Sequence, residues 1–149
     1  MSATLDTPRF GSGRAVKRVE DPALVAGRGV YADDVQPAGQ LHLAFVRSTQ
    51  AHAGIGAINA DDARAMPGVV AVITGADLAA AGVGAFPVTP FPRPDGSAGA
   101  SAPRYPLARD VVRFVGEAVA AVVADSPAAA RAAADNVWVE YDERPAVTV

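Results

Sequence analysis

AVAAVVADSPAAARAAADNVWVEY, residues 118–141, is the stretch that decides the fold class of this chain. Ala118–Ala124 is an unbroken apolar run and predicts a buried strand. Ser126 and Pro127 are typical of a helix start, because a Ser side chain caps free N–H groups and Pro at the first helical position loses no hydrogen bond. An Ala-rich helix and a second strand, Val137–Tyr141, complete a strand–helix–strand unit, which indicates an α/β fold.

A second strand–helix–strand pattern lies upstream. The apolar stretches Ala53–Ala60 (AGIGAINA) and Val69–Thr74 (VVAVIT) predict two strands, the latter buried on both faces. Between them, Asp61 and Asp62 begin a short helix, where acidic side chains meet the positive end of the helix dipole. Two such units predict an α/β (α+β) domain with an internal pseudo-repeat.

Shorter elements surround these units. Pro22–Val25 predicts one helical turn, Leu41–Arg47 a strand with alternating side chains, and Asp77–Ala81 one or two helical turns. Val111–Val115 predicts a short strand. The proline- and glycine-rich stretch Gly82–Pro106 lacks apolar periodicity and is interpreted as a long surface loop, which is uncommon inside a compact domain.

Composition excludes several classes of function. The 149 residues suit one domain, and the net charge of −3 arises from intermixed acidic and basic residues, so the basic stripe of a nucleic-acid-binding protein is missing. No cysteine is present, which excludes disulfides, thiolate nucleophiles and cysteine-ligated zinc or iron–sulfur sites within this chain. No apolar run approaches the ~18 residues of a membrane span and no export signal is visible, so a cytoplasmic location is expected.

The run Gly27–Ala32 (GRGVYA) fits the dinucleotide fingerprint G-x-G-x-x-G/A. That motif works only when a helix opens at its second glycine, so that helix N–H groups meet the pyrophosphate. Here Asp33, Asp34 and Pro37 place negative charge and a helix breaker at that point. We therefore interpret the run as a plain glycine turn.

The remaining chemistry-bearing residues favour structural roles. His42 and His52 lack the converging ligands of a metal site and the partners of a catalytic histidine, so both are interpreted as structural or surface residues. Glu117 is the one carboxylate in an apolar run. It is either a polar anchor at an interface or, as we favour, a residue at the sheet end that accepts backbone hydrogen bonds.

Two pairs of adjacent carboxylates, Asp33-Asp34 and Asp61-Asp62, could suggest acid–base catalysis. In an extended segment, however, neighbouring side chains point to opposite faces. The second pair is better explained by helix capping. The sequence therefore predicts no catalytic, cofactor-binding or metal-ligating residue in this chain.

Taken in order, several motifs resemble the opening of the molybdopterin-binding large subunits of the xanthine dehydrogenase/aldehyde oxidase family. Each motif is weak alone, but their order, from about Gly11 onward, makes the resemblance specific. It implies that residues 13–149 form the family's α/β hammerhead domain after a flexible segment, residues 1–12. The motifs are Gly13-Arg14 with Arg18–Asp21, Leu24–Asp34, Gly39–Ser48 with Ala51–Ala53, Pro67–Gly75, Phe114–Ala124, and Val139–Tyr141 with Pro145-Ala146.

The resemblance implies the N-terminal structural and interface domain of a molybdenum-dependent hydroxylase, an oxidoreductase for an aldehyde, an N-heterocycle, a xanthine-like substrate or CO. The complete enzyme would carry molybdenum–molybdopterin, with 2Fe–2S clusters and FAD on partner subunits. This chain's partners would be the remainder of the large subunit and the iron–sulfur and flavin subunits.

The family's catalytic glutamate and most of its molybdopterin-binding loops lie downstream of this domain, so the resemblance gives no residue here a catalytic role. Because the family continues where this sequence stops, at Val149, we expect a fragment or a split subunit. The alternative is a freestanding protein-binding module that retains the hammerhead fold without enzyme activity.

A domain of a larger subunit is expected to expose apolar contact residues. Trp138 lies on the face of the predicted last strand opposite Val137 and Val139, and exposed aromatics are enriched at interfaces. Asn136, which tolerates the left-handed conformation, is expected to end the preceding helix. The predicted contact residues are Phe86, Phe91, Phe114 and Trp138.

Overall fold

The computed structural model describes residues 17–87, 91–99 and 102–147. The chain divides into two compact units, with the boundary between Ala38 and Gly39. The first contains helix α1, Asp21–Val25, and a 3-10 turn, Ala32–Asp34. Gly27, with φ +67°, turns the chain between them, and no helix opens at Gly29, as the interpretation of a glycine turn requires.

The second unit contains two three-stranded antiparallel sheets. Sheet A has the strand order β1-β5-β3 and sheet B the order β4-β2-β6, which confirms the expected mixture of helices and strands. The elements are β1 His42–Arg47, β2 Ala53–Asn59, α2 Asp61–Ala65, β3 Val69–Thr74, α3 Gly75–Ala80, β4 Val111–Val112, β5 Ala118–Ala124, α4 Pro127–Ala134 and β6 Trp138–Glu143.

Both predicted strand–helix–strand units are present, and each passes from one sheet to the other. Helix α2 connects β2 of sheet B to β3 of sheet A, and α4 connects β5 of sheet A to β6 of sheet B. The helices are too short to return the chain for parallel pairing: five residues of α2 span about 7.5 Å, whereas a six-residue strand spans about 20 Å.

The strand pairings interleave the two halves of the domain. Each ladder in the described part joins one of the first three strands to one of the last three: β1 with β5, β3 with β5, β2 with β4, and β2 with β6. Strand β5 lies between β1 and β3, and β2 lies between β4 and β6. Each central strand is therefore paired on both sides with strands from the other half.

Strand β5 is also the centre of the core. Val122 is fully buried among residues of α2, α4 and β3, and Val119 is fully buried among residues of sheet B and the stretch before β4. The prediction for Val69–Thr74 was wrong in one respect. As an edge strand it is not buried on both faces, and Val70 is 60% exposed.

Helix α4 begins where the sequence predicts and ends two residues before the predicted end at Asn136. The Ser126 Oγ accepts the Ala129 N–H at 3.3 Å and caps α4, as predicted. The helix ends at Ala134, before Asn136, whose side-chain amide donates to the Ala132 carbonyl at 2.8 Å.

Asp61 and Asp62 lie in the first turn of α2, at the positive end of the helix dipole, as predicted. The prediction that they cap the helix was wrong, because the N-cap residue is Ala60 and the Asn59 Oδ1 accepts the Asp61 N–H at 3.2 Å. Asp61 instead pairs with Arg64 at 3.2 Å and so lies in the first turn without capping it.

Thr74 and Asp77 form a reciprocal cap at the start of α3. The Thr74 hydroxyl oxygen accepts the Asp77 N–H at 3.3 Å. In return, the Asp77 carboxylate accepts hydrogen bonds from the Thr74 hydroxyl and the Thr74 N–H, both at 2.7 Å. These bonds, the hydroxyl first, hold the pKa of Asp77 below its usual range, because they stabilise the ionised form.

Replacing Thr74 with Val should raise the pKa of Asp77 towards its ordinary value of 3.8. Because the folded pKa is lowered, the stability that the carboxylate contributes is present above the unfolded pKa and is lost as pH falls through the folded pKa. The variant should lose part of this dependence below about pH 4. Carboxyl NMR titration tests the shift, with Asp95 as an internal control, since its pKa is lowered by Ser97. An unchanged Asp77 titration would contradict the assignment.

Candidate interaction surfaces

The side chain of Glu117 prevents strand β4 from continuing beyond Val112. Its Oε2 accepts the Arg113 N–H at 2.6 Å, and Gly116 turns the chain with φ +91°. The ladder therefore stops at Val112, three residues earlier than predicted. The Glu117 side chain accepts a backbone hydrogen bond, as we favoured from the sequence.

A groove of about 550 Å³, the aromatic groove, lies beside this turn. It brings together three of the four predicted contact residues, Phe86, Phe91 and Phe114, each at least half exposed. Its lining is Arg47, Phe86, Pro87, Phe91, Arg104, Tyr105, Pro106, Phe114, Gly116, Glu117 and Ala118.

Arginines border the aromatic groove. Arg47 donates to the Gly116 carbonyl at 2.9 Å, and its guanidinium carbon lies 5.4 Å from the centre of the Phe45 ring. The Arg109 guanidinium stacks over the Tyr105 ring at 4.0 Å, a cation–π contact. The lining of the groove contains two arginines, Arg47 and Arg104, and one carboxylate, Glu117, so it carries a small excess of positive charge beside the aromatic rings.

Trp138, the fourth predicted contact residue, lies in a different groove of about 510 Å³ between the end of β1 and β6. It is 71% exposed, whereas Val139 and Tyr141 pack towards the buried residues of sheet B, as the alternation predicted. Glu140 and Glu143 also line this groove. Arg47 lines both grooves, but the first adds three phenylalanine rings and Arg104, whereas the second adds Trp138 and two carboxylates.

The sequence interpretation missed a third surface, on sheet A. The register aligns Leu43 with Val123 and Ala71, and Phe45 with Ala121 and Ile73. Aligned residues of neighbouring strands share a face. We call this apolar surface the open face, because Leu43 is 53% and Phe45 45% exposed. Its members are Leu43, Phe45, Ala71, Ile73, Ala121 and Val123, of which Ala121 is buried and Ala71, Ile73 and Val123 are half-buried.

The signal for the open face was present in LHLAFVR, residues 41–47. A strand with one solvated face alternates apolar and polar residues. Here Leu43 and Phe45 alternate with Ala44 and Val46, so both faces are apolar. Val46 packs on the core with α2 and α4, which leaves Leu43 and Phe45 on the other side.

Neither histidine belongs to a cluster of metal ligands. The His52 Nδ1 lies 2.8 Å from the Pro145 carbonyl oxygen and so ties the stretch after β6 to the start of β2. His42 is partly buried on β1. Among residues 17–87, 91–99 and 102–147, no three His, Cys, Asp or Glu side chains group as metal ligands, and no helix is long and apolar enough to cross a membrane.

Comparison with known proteins identifies similar sequences over most of the chain. The family model "Aldehyde oxidase and xanthine dehydrogenase, a/b hammerhead domain" matches residues 26–145. The nicotine 6-hydroxylase large subunit of Paenarthrobacter nicotinovorans is 44% identical over 93% of this chain and 17% of its own. The xanthine dehydrogenase molybdenum-binding subunit of Escherichia coli O157:H7 is 37% identical over 88% of this chain and 17% of its own.

Solved structures agree with these matches. Quinoline 2-oxidoreductase from Pseudomonas putida 86 superposes with a TM-score of 0.79 at 44% identity, covering 89% of this chain and 16% of that one. A Cu,Mo-CO dehydrogenase superposes with a TM-score of 0.72 at 38% identity, again covering 89% of this chain and 16% of that one. The chain thus spans about a sixth of the length of the relatives it matches.

Proposed function

Because this chain belongs to the aldehyde oxidase and xanthine dehydrogenase family as its a/b hammerhead domain, we propose that it is the N-terminal structural and interface domain of a molybdenum hydroxylase large subunit. The observation that carries the proposal is the match over residues 26–145, within relatives about six times longer. In this proposal the domain extends over residues 13–149 and the enzyme works in the cytoplasm.

The complete enzyme would oxidise an aldehyde, an N-heterocycle, a xanthine-like compound or CO. Relatives are named for nicotine, xanthine, aldehyde and carbon monoxide chemistry, which supports this range. Molybdenum–molybdopterin would be bound by the rest of the large subunit, and 2Fe–2S clusters and FAD by partner subunits.

The residues of this chain do not fit those groups. Cysteine, the usual ligand of 2Fe–2S clusters, is missing from the sequence. In the described part no three potential ligands group together, and the carboxylate of Glu117 is engaged by a backbone N–H. We therefore derive no catalytic step for this chain and assign it a role in packing against the cofactor-binding parts.

A domain replacement tests this role. This chain should substitute for the homologous domain of the nicotine 6-hydroxylase large subunit, because the 44% identity spans nearly the whole domain. Produced with its partner subunits, the chimera should bind molybdenum and hydroxylate nicotine. The same large subunit with the domain deleted is the control and should lack activity. A folded chimera without molybdenum would refute the proposal.

The isolated chain provides the complementary measurement. It should contain no stoichiometric molybdenum, iron or flavin, because its sequence has no cysteine and the part that the structure describes groups no three potential metal ligands. Retention of about one molybdenum per chain after gel filtration would contradict the assignment, since it would require a preformed ligand set here.

The alternative function is a freestanding protein-binding module. The exposed rings of Phe86, Phe91 and Phe114 in the aromatic groove favour it, because exposed aromatic clusters commonly mark interfaces. This alternative requires that the isolated chain is stable and does not aggregate. It also requires that co-production with the rest of a large subunit leaves both properties unchanged. It also requires an inactive chimera, so the two functions predict opposite results.

A further inference from the structure

Strand β6 is an edge strand of sheet B, and it lines the groove that contains Trp138. We propose that an extended segment from the remainder of the large subunit, with alternating basic and apolar residues, pairs with this edge as an additional strand. The inference rests on the proposed function and deepens it by naming the edge that is contacted and the residue pattern of its partner.

The backbone of β6 points hydrogen-bonding groups away from the sheet. The Arg144 N–H donates to the His52 carbonyl at 2.9 Å, in register with the pairing of β6 and β2. In an antiparallel ladder, residues that bond to the neighbouring strand alternate with residues that point away from it. The backbone groups of the even-numbered residues of β6 therefore point to β2, and those of Val139, Tyr141 and Glu143 point outward.

Strand β2 gives the same directions independently. Ile55 is aligned with Tyr141, and its N–H donates at 2.8 Å to the Asp110 carbonyl on the other side of β2. The extra residue of the bulge lies in β2, because the step from Ile55 to Ile58 faces the shorter step from Tyr141 to Val139. The alternation along β6 is thus unbroken. All three outward residues line the groove, and in the part of the chain that the structure describes β6 pairs with β2 alone.

The side chains of β6 specify the pattern of the added strand. Trp138, Glu140 and Asp142 share the exposed outer face of sheet B, whereas Val139 and Tyr141 face its buried residues. Opposite residues of paired strands have Cβ atoms about 5 Å apart, and opposite charges there attract. The added strand should therefore carry Lys or Arg opposite the two carboxylates and apolar residues opposite Val139 and Tyr141. The Trp138 ring offers a cation–π contact to a further basic residue.

Two arginines lie near β6, but neither neutralises its carboxylates. Arg47, across the groove, donates to the Gly116 carbonyl at 2.9 Å. The Arg144 guanidinium lies over Gly54 of β2, on the side away from the free edge. Among the described residues, neither arginine forms an ion pair. The carboxylates of β6 are therefore available to a basic strand.

The carboxylates lie beside the free edge and do not cover it. The Glu140 Cβ and Oε2 lie 3.3 and 3.7 Å from the position that a Cβ on Gly56 would take, so this side chain extends over β2. The Asp142 Cβ lies likewise 3.5 Å from the corresponding position at Gly54. Bulges and prolines are common protections of an edge strand. In this pair the bulge lies in β2, and β6 contains no proline, so the edge is open to pairing.

The same carboxylates argue against a second copy of this chain as the partner. Two β6 strands paired edge to edge would bring like charges together on one face, which is destabilising. A short strand also binds weakly unless a covalent connection raises its effective concentration to the millimolar range. About five-sixths of the nicotine 6-hydroxylase large subunit lies outside the part that this chain matches. The remainder of the large subunit therefore fits best as the source of the strand.

A synthetic peptide of alternating Lys and Val tests the edge in the isolated chain. At saturation it should slow hydrogen exchange at the outward N–H groups of β6 more than about tenfold, and it should leave the inward Asp142 N–H unchanged. The same peptide with Glu in place of Lys is the control and should protect none of them. Glu140→Lys should weaken binding about fivefold, because an attractive pair becomes repulsive. Asp62→Lys, the same charge change on an exposed position of α2, should have no effect.

Hydrogen exchange of the chimera tests the source of the strand. In the isolated chain, residues 137–143 should exchange in two phases, fast for the outward and slow for the inward N–H groups. In the active chimera the fast phase should disappear, because the outward groups are then bonded to the added strand. Mass spectrometry of the peptic fragment that contains β6 measures both states.

The outcomes separate the two proposals. An inactive wild-type chimera refutes the proposed function and the source of the strand, whereas the peptide measurement needs no large subunit. An active chimera that keeps the fast phase refutes the docking edge alone. A Lys–Val peptide that protects no outward N–H group also overturns the proposal, since the carboxylates would then only keep the edge unpaired. Protection that grows with the concentration of the isolated chain would identify a second copy. Protection that requires iron–sulfur subunits would identify a separate subunit, and either result overturns the proposal.

Discussion

Gly75→Ala should destabilise the domain by about 3 kcal/mol, although alanine is the better helix former by about 1 kcal/mol. Gly75 is the first residue of α3, and a Cβ there would overlap the carbonyl oxygen of Ala108 and lie 2.9 Å from its carbonyl carbon. The Ala108 segment cannot move aside freely, because its N–H donates to the Ala118 carbonyl of β5 at 2.8 Å. Steric overlap should therefore outweigh helix propensity.

Urea unfolding of the isolated chain measures this effect. Gly84→Ala is the matched control, because a Cβ at Gly84 meets nothing within 4 Å. It should change the free energy of unfolding by less than about 0.5 kcal/mol. If Gly75→Ala were stabilising, the approach of residues 108–109 to α3 would be wrong.

Val122→Asp should abolish cooperative folding. Val122 is fully buried in the core between β5 and the helices, among Ala60, Ala63, Val72 and Ala133. No charged residue belongs to this cluster, so a carboxylate would be buried without a partner. The cost, above about 5 kcal/mol, is comparable to the whole stability of a domain of this size.

Circular dichroism and amide NMR spectra report the loss of structure. Val70→Asp is the control on the same sheet, at a side chain that is 60% exposed, and it should cost less than about 1 kcal/mol. Val122→Ala should give an intermediate loss of about 2 kcal/mol, because it removes two methyl groups and leaves a cavity. A folded Val122→Asp variant with native amide dispersion would place Val122 outside the core.

Local elements could be predicted from the sequence because their causes are local. Ser126 caps the helix that follows it, and the alternation in Val137–Tyr141 correctly separates Trp138 from the core side. The family resemblance was also confirmed. Each motif alone was weak evidence, but the order of the motifs along the chain was specific.

The pairing of the strands and the burial of each sheet face could not be predicted, because both depend on residues that are distant in sequence. The apolar run VVAVIT predicts a strand that is buried on both faces. In the structure it is an edge strand, with the core on one face and the open face on the other. The end of β4 depends on a carboxylate that captures the Arg113 N–H. Likewise, the separation of Trp138 from Phe86, Phe91 and Phe114 follows from sheet order and from the path of the long loop.

The interleaved strand order has a consequence for synthesis of the chain on the ribosome. Strand β3 is completed at Thr74, but β5, its partner in sheet A, is completed only at Ala124, about 50 residues later. At 5–20 residues per second, translation leaves β3 without a partner for roughly 3–10 s. Short apolar segments rich in β-branched residues, such as VVAVIT, aggregate readily when unpaired. The rate at which the ribosome translates residues 75–124 therefore sets how long the nascent chain is exposed to misassembly.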